Sequence, residues 1–184
     1  MSLYQDVIIA GFGGQGVLFS GNLLAYAGMG AGLEVTFMPE YGPEMRGGTA
    51  NCTVVLSSES IGSPIIRRPL ALIALNQPSM DKFSPHVRDG GVQVLNTPLV
   101  DAGRAEPRLR TFAVPAGELA GQAGDARLAN MAALGAYVRA TGIMPPEAVI
   151  AALPTVISSH YRHLVPINAK AFQAGVDYVA MLEN

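Results

Sequence analysis

A short segment near the N-terminus joins an apolar strand pattern, a glycine-rich turn and an apolar helix pattern. Residues 4–10 are rich in β-branched side chains, residues 11–16 read Gly-Phe-Gly-Gly-Gln-Gly, and residues 17–32 are apolar around much of a helix. The order strand, G-x-G-x-x-G, helix is typical of a turn whose backbone comes close to a phosphate at the helix N-terminus. This segment therefore favours an α/β fold with a ligand site at the end of the first strand.

The remaining sequence continues to alternate between strand and helix patterns. Its apolar strands and intervening helices predict a three-layer α/β/α fold with a mostly parallel, Rossmann-like sheet, in a single domain over residues 1–184. Pro154 is expected to bend or end a helix, and Asn168 is a candidate N-cap of the last helix. The further predicted strands are 33–39, 49–57, 69–76, 91–97 and 108–116, and the further predicted helices are a short one within 77–87, then 125–142 and 145–158.

Charged residues are scarce in this chain. They make up 14% of the sequence, where a soluble domain has roughly 25%, while 49% of the residues are hydrophobic and the formal net charge is −2. This composition excludes a disordered chain, and it offers no basic surface for nucleic acid or for an anionic membrane. We expect partner proteins to cover part of the surface, chiefly on the C-terminal helices and around residues 39–48, and we expect the isolated chain to form a homodimer.

The apolar stretches and the single cysteine limit the cellular setting and the cofactors. The N-terminus has no basic segment followed by an apolar one, and the most apolar stretch, residues 23–33, is shorter than the ~20 residues of a membrane span. A cytoplasmic protein is the expectation. Cys52 is the only cysteine, which excludes an internal disulfide and a cysteine-ligated iron–sulfur cluster or zinc site within the chain.

The glycine-rich turn has a ligand-binding interpretation and a packing interpretation. Its candidate binding residues are Gly11, Gly13, Gly14, Gln15 and Gly16. The same glycines would equally serve a tight turn that only packs a strand against a helix.

The dinucleotide fingerprint needs one more feature, an acid at the end of the second strand. Glu34 lies at the start of that predicted strand, and Glu40 lies just beyond its end. Neither position suits a ribose hydroxyl. A phosphate or pyrophosphate at the turn is therefore favoured over a complete dinucleotide.

A second polar loop, residues 39–48, follows the second predicted strand. Arg46 is a candidate for binding a carboxylate or a phosphate. Gly47 and Gly48 follow it and add no side chains that would block the approach of such a group. Asn76 follows the fourth predicted strand, at the kind of strand end where α/β folds bind ligands. The alternatives are a solvated loop with an internal salt bridge and, at Asn76, a simple Asn–Pro turn.

Motifs for other chemistries are missing. The histidines, His86, His160 and His163, are scattered, which makes a metal site unsupported, and neither G-x-S-x-G nor G-x-x-x-x-G-K-[ST] occurs. No catalytic residue is assigned to this chain.

Four segments together resemble the gamma subunit of 2-oxoacid:ferredoxin oxidoreductases. The middle segment is the most specific, and around Tyr41 to Cys52 it is most similar to the 2-oxoglutarate branch, although the pyruvate, branched-chain and indolepyruvate branches share its frame. The segments are GFGGQGV at 11–17, PEYGPEMRGGTANCTVVLS at 39–57, LNQPSMDKF at 75–83 and NMAALGAYVRATG at 130–142.

The resemblance implies an enzyme complex that decarboxylates a 2-oxoacid, passes electrons to ferredoxin and forms an acyl-CoA. It implies that thiamine diphosphate, magnesium, iron–sulfur clusters and CoA belong to the complex, on alpha, beta and delta-type subunits, because this chain has one cysteine and no thiamine motif. Ferredoxin would then be only an indirect partner. The two glycine-rich loops would help to shape the approach of CoA or the oxoacid. The competing hypotheses are a free-standing nucleotide-binding domain and an interaction module that contacts no ligand.

Overall fold

The fold is seen in a computed structural model that describes residues 2–42 and 48–183. Within these residues, a six-stranded sheet is flanked by six α-helices. The strands are β1 (Tyr4–Phe12), β2 (Glu34–Tyr41), β3 (Thr49–Ser57), β4 (Ala71–Ala74), β5 (Val92–Asn96) and β6 (Arg110–Val114). The helices are α1 (Val17–Gly30), α2 (Gln77–Phe83), α3 (Ala116–Ala123), α4 (Ala129–Thr141), α5 (Pro146–Val156) and α6 (Val165–Leu182).

The strand order in the sheet is β2-β3-β1-β4-β5-β6. Strands β1, β4, β5 and β6 run parallel, as the alternation of strands and helices predicted. Strand β3 lies between β1 and β2 and is antiparallel to both. The mostly parallel sheet is therefore confirmed, and its antiparallel part is confined to one side of β1.

Helices cover both faces of the sheet, so the predicted three-layer arrangement is also confirmed. The larger apolar core lies between the sheet and helices α1, α3, α4, α5 and α6, and it includes Ile9, Leu24 and Phe172. The smaller core, around Leu72 and Met80, lies on the face that α2 covers. Burial of these apolar side chains supplies the main favourable term in folding.

Helices α4 and α6 pack together unusually closely, and glycines make this possible. A Cβ atom on Gly135 would overlap the carbonyl oxygen of Phe172, and a Cβ atom on Gly175 would overlap the carbonyl oxygen of Ala132. Helix α4 also contacts β4, β5 and β6, and α6 contacts β6, so the two helices pack together against this part of the sheet.

Several element boundaries differ from the predictions. Strand β2 continues to Tyr41, because Glu40 and Tyr41 pair with β3, so the predicted loop from residue 39 begins later. Helix α3 was not predicted, because its two glycines weaken the helix pattern. Asn168 is not an N-cap: α6 begins at Val165, and the Asn168 side chain lies within the helix and donates to the Leu164 carbonyl at 2.9 Å.

Pro154 behaves as the sequence predicted. It lies inside α5, and the helix ends two residues later at Val156. Proline lacks the amide that would continue the hydrogen-bonding pattern, which agrees with an end close to this residue.

Candidate functional site

The glycine-rich turn lies where the carboxyl ends of three parallel strands meet, and we call this edge of the sheet the ligand edge. Strand β1 ends at Phe12, and the carboxyl ends of β4 and β5 lie beside it because the three strands are parallel neighbours. Strand β3 runs the other way, so Gly48, just before β3, comes to the same edge. The amide of Gly13 donates to the carbonyl oxygen of Gly48 at 2.9 Å. This bond joins the ends of the two predicted glycine-rich loops.

The Gln15 side chain holds the turn together. Its Oε1 atom accepts hydrogen bonds from the amide of Phe12 at 2.7 Å and from Nδ2 of Asn76 at 3.0 Å. Its Nε2 atom donates to the carbonyl oxygen of Leu75 at 3.3 Å. Gln15 therefore links the turn after β1 to the end of β4.

Asn76 has the capping role that was considered as its alternative. Its Oδ1 atom accepts from the amide of Ser79 at 2.9 Å, which caps α2, and its Nδ2 atom is bonded to Gln15. The side chain is nearly fully buried. Both of its polar ends thus have protein partners, so Asn76 links the end of β4 to the turn through Gln15.

Two backbone amides of the turn remain available for a ligand. The amide of Gly13 is bonded to Gly48, and the amide of Gln15 donates to the carbonyl oxygen of Phe12 at 3.1 Å. Among the described residues, the amides of Gly14 and Gly16 have no acceptor. Both of these glycines have positive φ angles, 95° for Gly14 and 73° for Gly16, a conformation that side chains rarely adopt. The turn thus offers fewer amides than its five candidate residues suggested.

Gly11 has a packing role. It is buried, and a Cβ atom there would lie 2.7 Å from Oε1 of Gln15 and 3.0 Å from the Val17 side chain. Any side chain at this position would push the Gln15 amide out of place. The other two candidates in the second loop, Arg46 and Gly47, lie outside the described residues.

Asn130, which sequence reasoning missed, connects α4 to the turn. Its Nδ2 atom donates to the carbonyl oxygen of Gly16 at 3.2 Å and contacts the Ser20 hydroxyl at 3.0 Å. The residue is 5% exposed. A polar residue at the start of an otherwise apolar helix was the available signal, because a buried amide needs hydrogen-bonding partners.

Two cavities flank the turn, and both are lined by Gly14 and Arg127. One, of about 460 Å³, is also lined by α1, the end of α5 and the segment before α6, with Phe19 and Tyr161 on its wall. The other, of about 500 Å³, is also lined by the ends of β4 and β5, with Leu99 on its wall. Both have room for part of a small ligand and a few polar groups to orient it.

Arg127, between the cavities, is an exposed cation at the ligand edge. Its guanidinium binds the Asp125 carboxylate with contacts as short as 2.6 Å, and this hydrogen bonding lowers the pKa of Asp125. The guanidinium is therefore partly neutralised, although 89% of the side chain remains exposed. Sequence reasoning did not single out Arg127.

Cys52 lies in the apolar core, where its thiol stays protonated. Its thiol contacts the Val17 carbonyl oxygen at 3.7 Å, and burial raises its pKa to about 12. A thiolate is the form that binds metals, so this thiol is unsuited to ligation. Across residues 2–42 and 48–183, no group of three or more His, Cys, Asp or Glu side chains could hold a metal ion. No helix in the described part of the chain is long and apolar enough to cross a membrane.

The sheet order disfavours a complete dinucleotide. In the dinucleotide-binding fold, the acid that binds ribose ends the strand next to β1. Here the neighbour on that side is the antiparallel β3, and Glu40 lies one strand further away, paired with Asn51 at the sheet edge. Glu34 lies at the other end of β2, opposite Ser57. Neither acid lies on the strand next to the turn.

A family model described as pyruvate ferredoxin/flavodoxin oxidoreductase matches residues 6–178. The chain belongs to this family. The resemblance that the sequence motifs indicated is thereby confirmed, and within the family the chain is similar to proteins named as gamma-type subunits. The keto/oxoacid ferredoxin oxidoreductase gamma subunit from Geobacter sulfurreducens superposes with a TM-score of 0.82 at 30% identity, over 96% of this chain and 99% of that one.

Two curated relatives in the pyruvate ferredoxin/flavodoxin oxidoreductase family differ in length. The 2-oxoglutarate synthase subunit KorC from Methanothermobacter thermautotrophicus is 31% identical over 182 residues, which cover 95% of both chains. The ketoisovalerate oxidoreductase subunit VorA from Methanothermobacter marburgensis is 43% identical over 174 residues, 94% of this chain and 36% of the relative. The chain thus spans about a third of the length of the relatives named VorA. Because VorA is the more similar of these two proteins, the 2-oxoglutarate branch stays a prediction.

Proposed function

We propose that this chain is the gamma component of a 2-oxoacid:ferredoxin oxidoreductase complex and acts as one domain without a redox centre of its own. The observation that carries the proposal is the match over nearly the full length of gamma-type relatives, KorC and the Geobacter protein. The burial of the single cysteine, Cys52, supports it, because electron transfer through clusters then needs thiolates from other chains.

The cofactors of the reaction belong, in this proposal, to the alpha, beta and delta-type subunits. Thiamine diphosphate with magnesium would supply the decarboxylation chemistry there, iron–sulfur clusters would carry the electrons to ferredoxin, and CoA would accept the acyl group. This chain binds those subunits. Exposed apolar side chains support such contacts near residues 39–48, with Phe12 and Tyr41, and in the C-terminal part, with Tyr161, Leu164 and Met181.

The ligand edge would contribute to the approach of CoA or the oxoacid. The free amides of Gly14 and Gly16 and the nearby N-terminus of α1 would bind a phosphate or carboxylate group. Arg46 would add a guanidinium from the second loop. An acidic loop of a companion subunit would bind to the same amides and to the same guanidinium. Binding of a ligand and binding of a partner loop therefore need separate tests.

Assembly and activity test the subunit proposal. The chain is co-expressed with the companion subunits, the complex is purified through a tag on one of them, and ferredoxin reduction is followed with each of four 2-oxoacids: 2-oxoglutarate, pyruvate, ketoisovalerate and indolepyruvate. We expect this chain to co-purify and to be required for CoA-dependent activity. A complex that assembles and turns over equally well without it would overturn the proposal.

Two variants test the ligand edge in the assembled complex. Arg46→Ala removes the guanidinium. Gly14→Ala adds a methyl group that overlaps no neighbouring residue but strains the exposed turn, because the φ angle of Gly14 is 95°. We expect each to raise the Michaelis constant for CoA or for the 2-oxoacid by about tenfold, since one charge-assisted contact is worth about 1.4 kcal/mol or more. Gly32→Ala, which follows α1, is the control, because its added methyl group also meets open space and its φ angle, 77°, is also positive. Unchanged constants for both test variants in an intact complex would refute the ligand role.

A further inference from the structure

A concave patch of arginines lies at the edge of the sheet opposite the glycine-rich turn. Arg67, Arg68 and Arg88 line a cavity of about 470 Å³ together with Ile65 and Ile66. The first two arginines precede β4, and Arg88 precedes β5. Because β1, β4 and β5 are parallel, these residues lie at the amino ends of the strands, whereas the turn lies at the carboxyl ends. The arginine patch, as we call these three arginines, is thus separate from the candidate ligand edge.

Hydrogen bonds fix the backbone that carries the arginine patch. Nε of Arg88 donates to the carbonyl oxygen of Arg68 at 2.8 Å, and the Arg88 amide donates to the carbonyl oxygen of Pro69 at 2.9 Å. The Leu70 amide donates to Oδ1 of Asp6 at 2.6 Å. The segment has no helix or strand of its own, yet these bonds hold it against β1 and the loop before β5. The patch is therefore organised before any partner binds.

The charges of the arginine patch are not neutralised within the described residues. None of the three guanidiniums has a carboxylate within salt-bridge distance there. Asp6 attracts Arg88, but its carboxyl group is fully buried and holds the Leu70 amide. Asp89, next in sequence to Arg88, is bound by Arg108 at 2.7 Å. Within residues 2–42 and 48–183, the arginines that do form salt bridges are Arg104, Arg108, Arg127 and Arg139.

We propose that the arginine patch binds an acidic surface of another protein subunit, which places an apolar side chain against Ile65. The inference rests on the proposed function, because it requires that the chain works within a complex. Ile65 is 67% exposed beside the guanidiniums, and arginine next to exposed apolar surface is typical of protein interfaces. Uncompensated positive charge favours a partner surface of opposite sign, which raises both specificity and association rate. An open, partly aliphatic surface away from the carboxyl strand ends fits a protein better than a nucleotide.

The test uses the co-expressed complex and two double charge reversals. Arg67→Glu with Arg68→Glu reverses the patch and leaves Arg88, whose Nε atom donates to the carbonyl oxygen of Arg68, unchanged. Lys82→Glu with Arg110→Glu is the control, because these two cations are also exposed, form no salt bridge among the described residues and change the net charge by the same amount. Assembly is measured as the dissociation constant for the companion subunits at low and high salt, and the melting temperature of each free chain verifies folding.

We expect the patch reversal to weaken assembly by about tenfold or more at low salt and to flatten the salt dependence, because like charges across an interface repel. The control should keep wild-type affinity. If the wild-type chain assembles and the patch-reversed chain assembles with the same affinity, this inference is overturned and the proposed function stays intact. If the wild-type chain itself never assembles, the proposed function is refuted. Stabilisation of the free wild-type chain by pyrophosphate, lost on reversal while assembly is unchanged, would identify a small-anion site and also overturn the inference.

Discussion

The side-chain amide of Asn130 donates a hydrogen bond to the carbonyl oxygen of Gly16 at 3.2 Å. This contact connects the first turn of α4 to the last residue of the glycine-rich turn, 114 positions earlier in the sequence. Gly16 precedes α1 with a φ angle of 73°, and a Cβ atom there would lie 2.5 Å from Nδ2 of Asn130. The two residues therefore depend on each other: the glycine leaves room for the amide, and the amide fixes the glycine.

Replacing Asn130 with alanine should destabilise the fold and loosen the turn. The change removes the bonds to Gly16 and Ser20 and leaves a buried carbonyl oxygen and a hydroxyl with fewer partners, which costs about 1–3 kcal/mol. Urea unfolding of the free chain measures this loss. Gln122→Ala is the control, because the only bond of that exposed amide among the described residues is to Glu118, and its effect should stay within about 0.5 kcal/mol. Equal stabilities of the two variants would contradict the role of Asn130.

The contact between α4 and α6 should be intolerant of any added side chain. Gly175→Ala places a methyl group against the Ala132 carbonyl, so the two helices must move apart, and we expect a loss of about 3 kcal/mol or more in the free energy of unfolding. Gly117→Ala, where the methyl group meets open space within a helix, should be neutral or stabilising by up to about 1 kcal/mol. Denaturation midpoints compare the two. A small effect at Gly175 would mean that the helices are not in close contact.

Much of the fold was predictable because local chemistry determines it. Glycines at the positions that need positive φ angles marked the turn from β1 to α1, and continuous apolar runs marked the parallel strands. The insertion of β3 between β1 and β2 was not predicted, since strand order depends on pairings between distant segments. Helix α3 was missed for a related reason: its glycines weaken the local helix pattern, and contacts with α4 and α6 stabilise it.

The candidate site was predicted in position more than in detail. The sequence located the turn, and the bond between Gly13 and Gly48 shows that the end of the second loop lies beside it. The sequence could not show that the side chains of Asn76 and Gln15 hydrogen-bond to each other, because a polar side chain at a strand end can equally well bind a ligand or cap a helix. Asn130 stood out only as a polar residue at the start of an apolar helix, and its partner Gly16 was not predictable, since it lies 114 positions away along the chain.

Cys52 should be inert to thiol reagents in the native chain. Its thiol is fully buried, and burial raises its pKa to about 12, so almost no thiolate exists at pH 8. A chromogenic disulfide reagent should therefore react with the folded chain at least about a hundredfold more slowly than with the chain in denaturant. Reaction at the same rate before and after unfolding would show that the thiol is accessible, which would weaken the argument that this chain cannot ligate a cluster.

Asp6 is a fully buried carboxyl group on β1. Burial raises its pKa, against smaller opposite effects from the Leu70 amide, Tyr4 and Arg88. The native state therefore keeps its proton to higher pH than the unfolded chain does. As pH rises from the unfolded pKa through the native pKa, the free energy of unfolding should fall, because the unfolded chain releases its proton first.

Asp6→Asn isolates this effect, because the asparagine keeps an oxygen for the Leu70 amide and cannot ionise. The variant should be at least as stable as wild type at pH 7, and its advantage over wild type should be larger at pH 7 than at pH 4. Urea unfolding at both pH values gives the difference. Gly117→Ala, which removes no hydrogen-bonding or ionisable side chain, should differ from wild type by the same amount at both. If the wild-type and Asp6→Asn chains respond identically to pH, the carboxyl group does not titrate differently in the folded state.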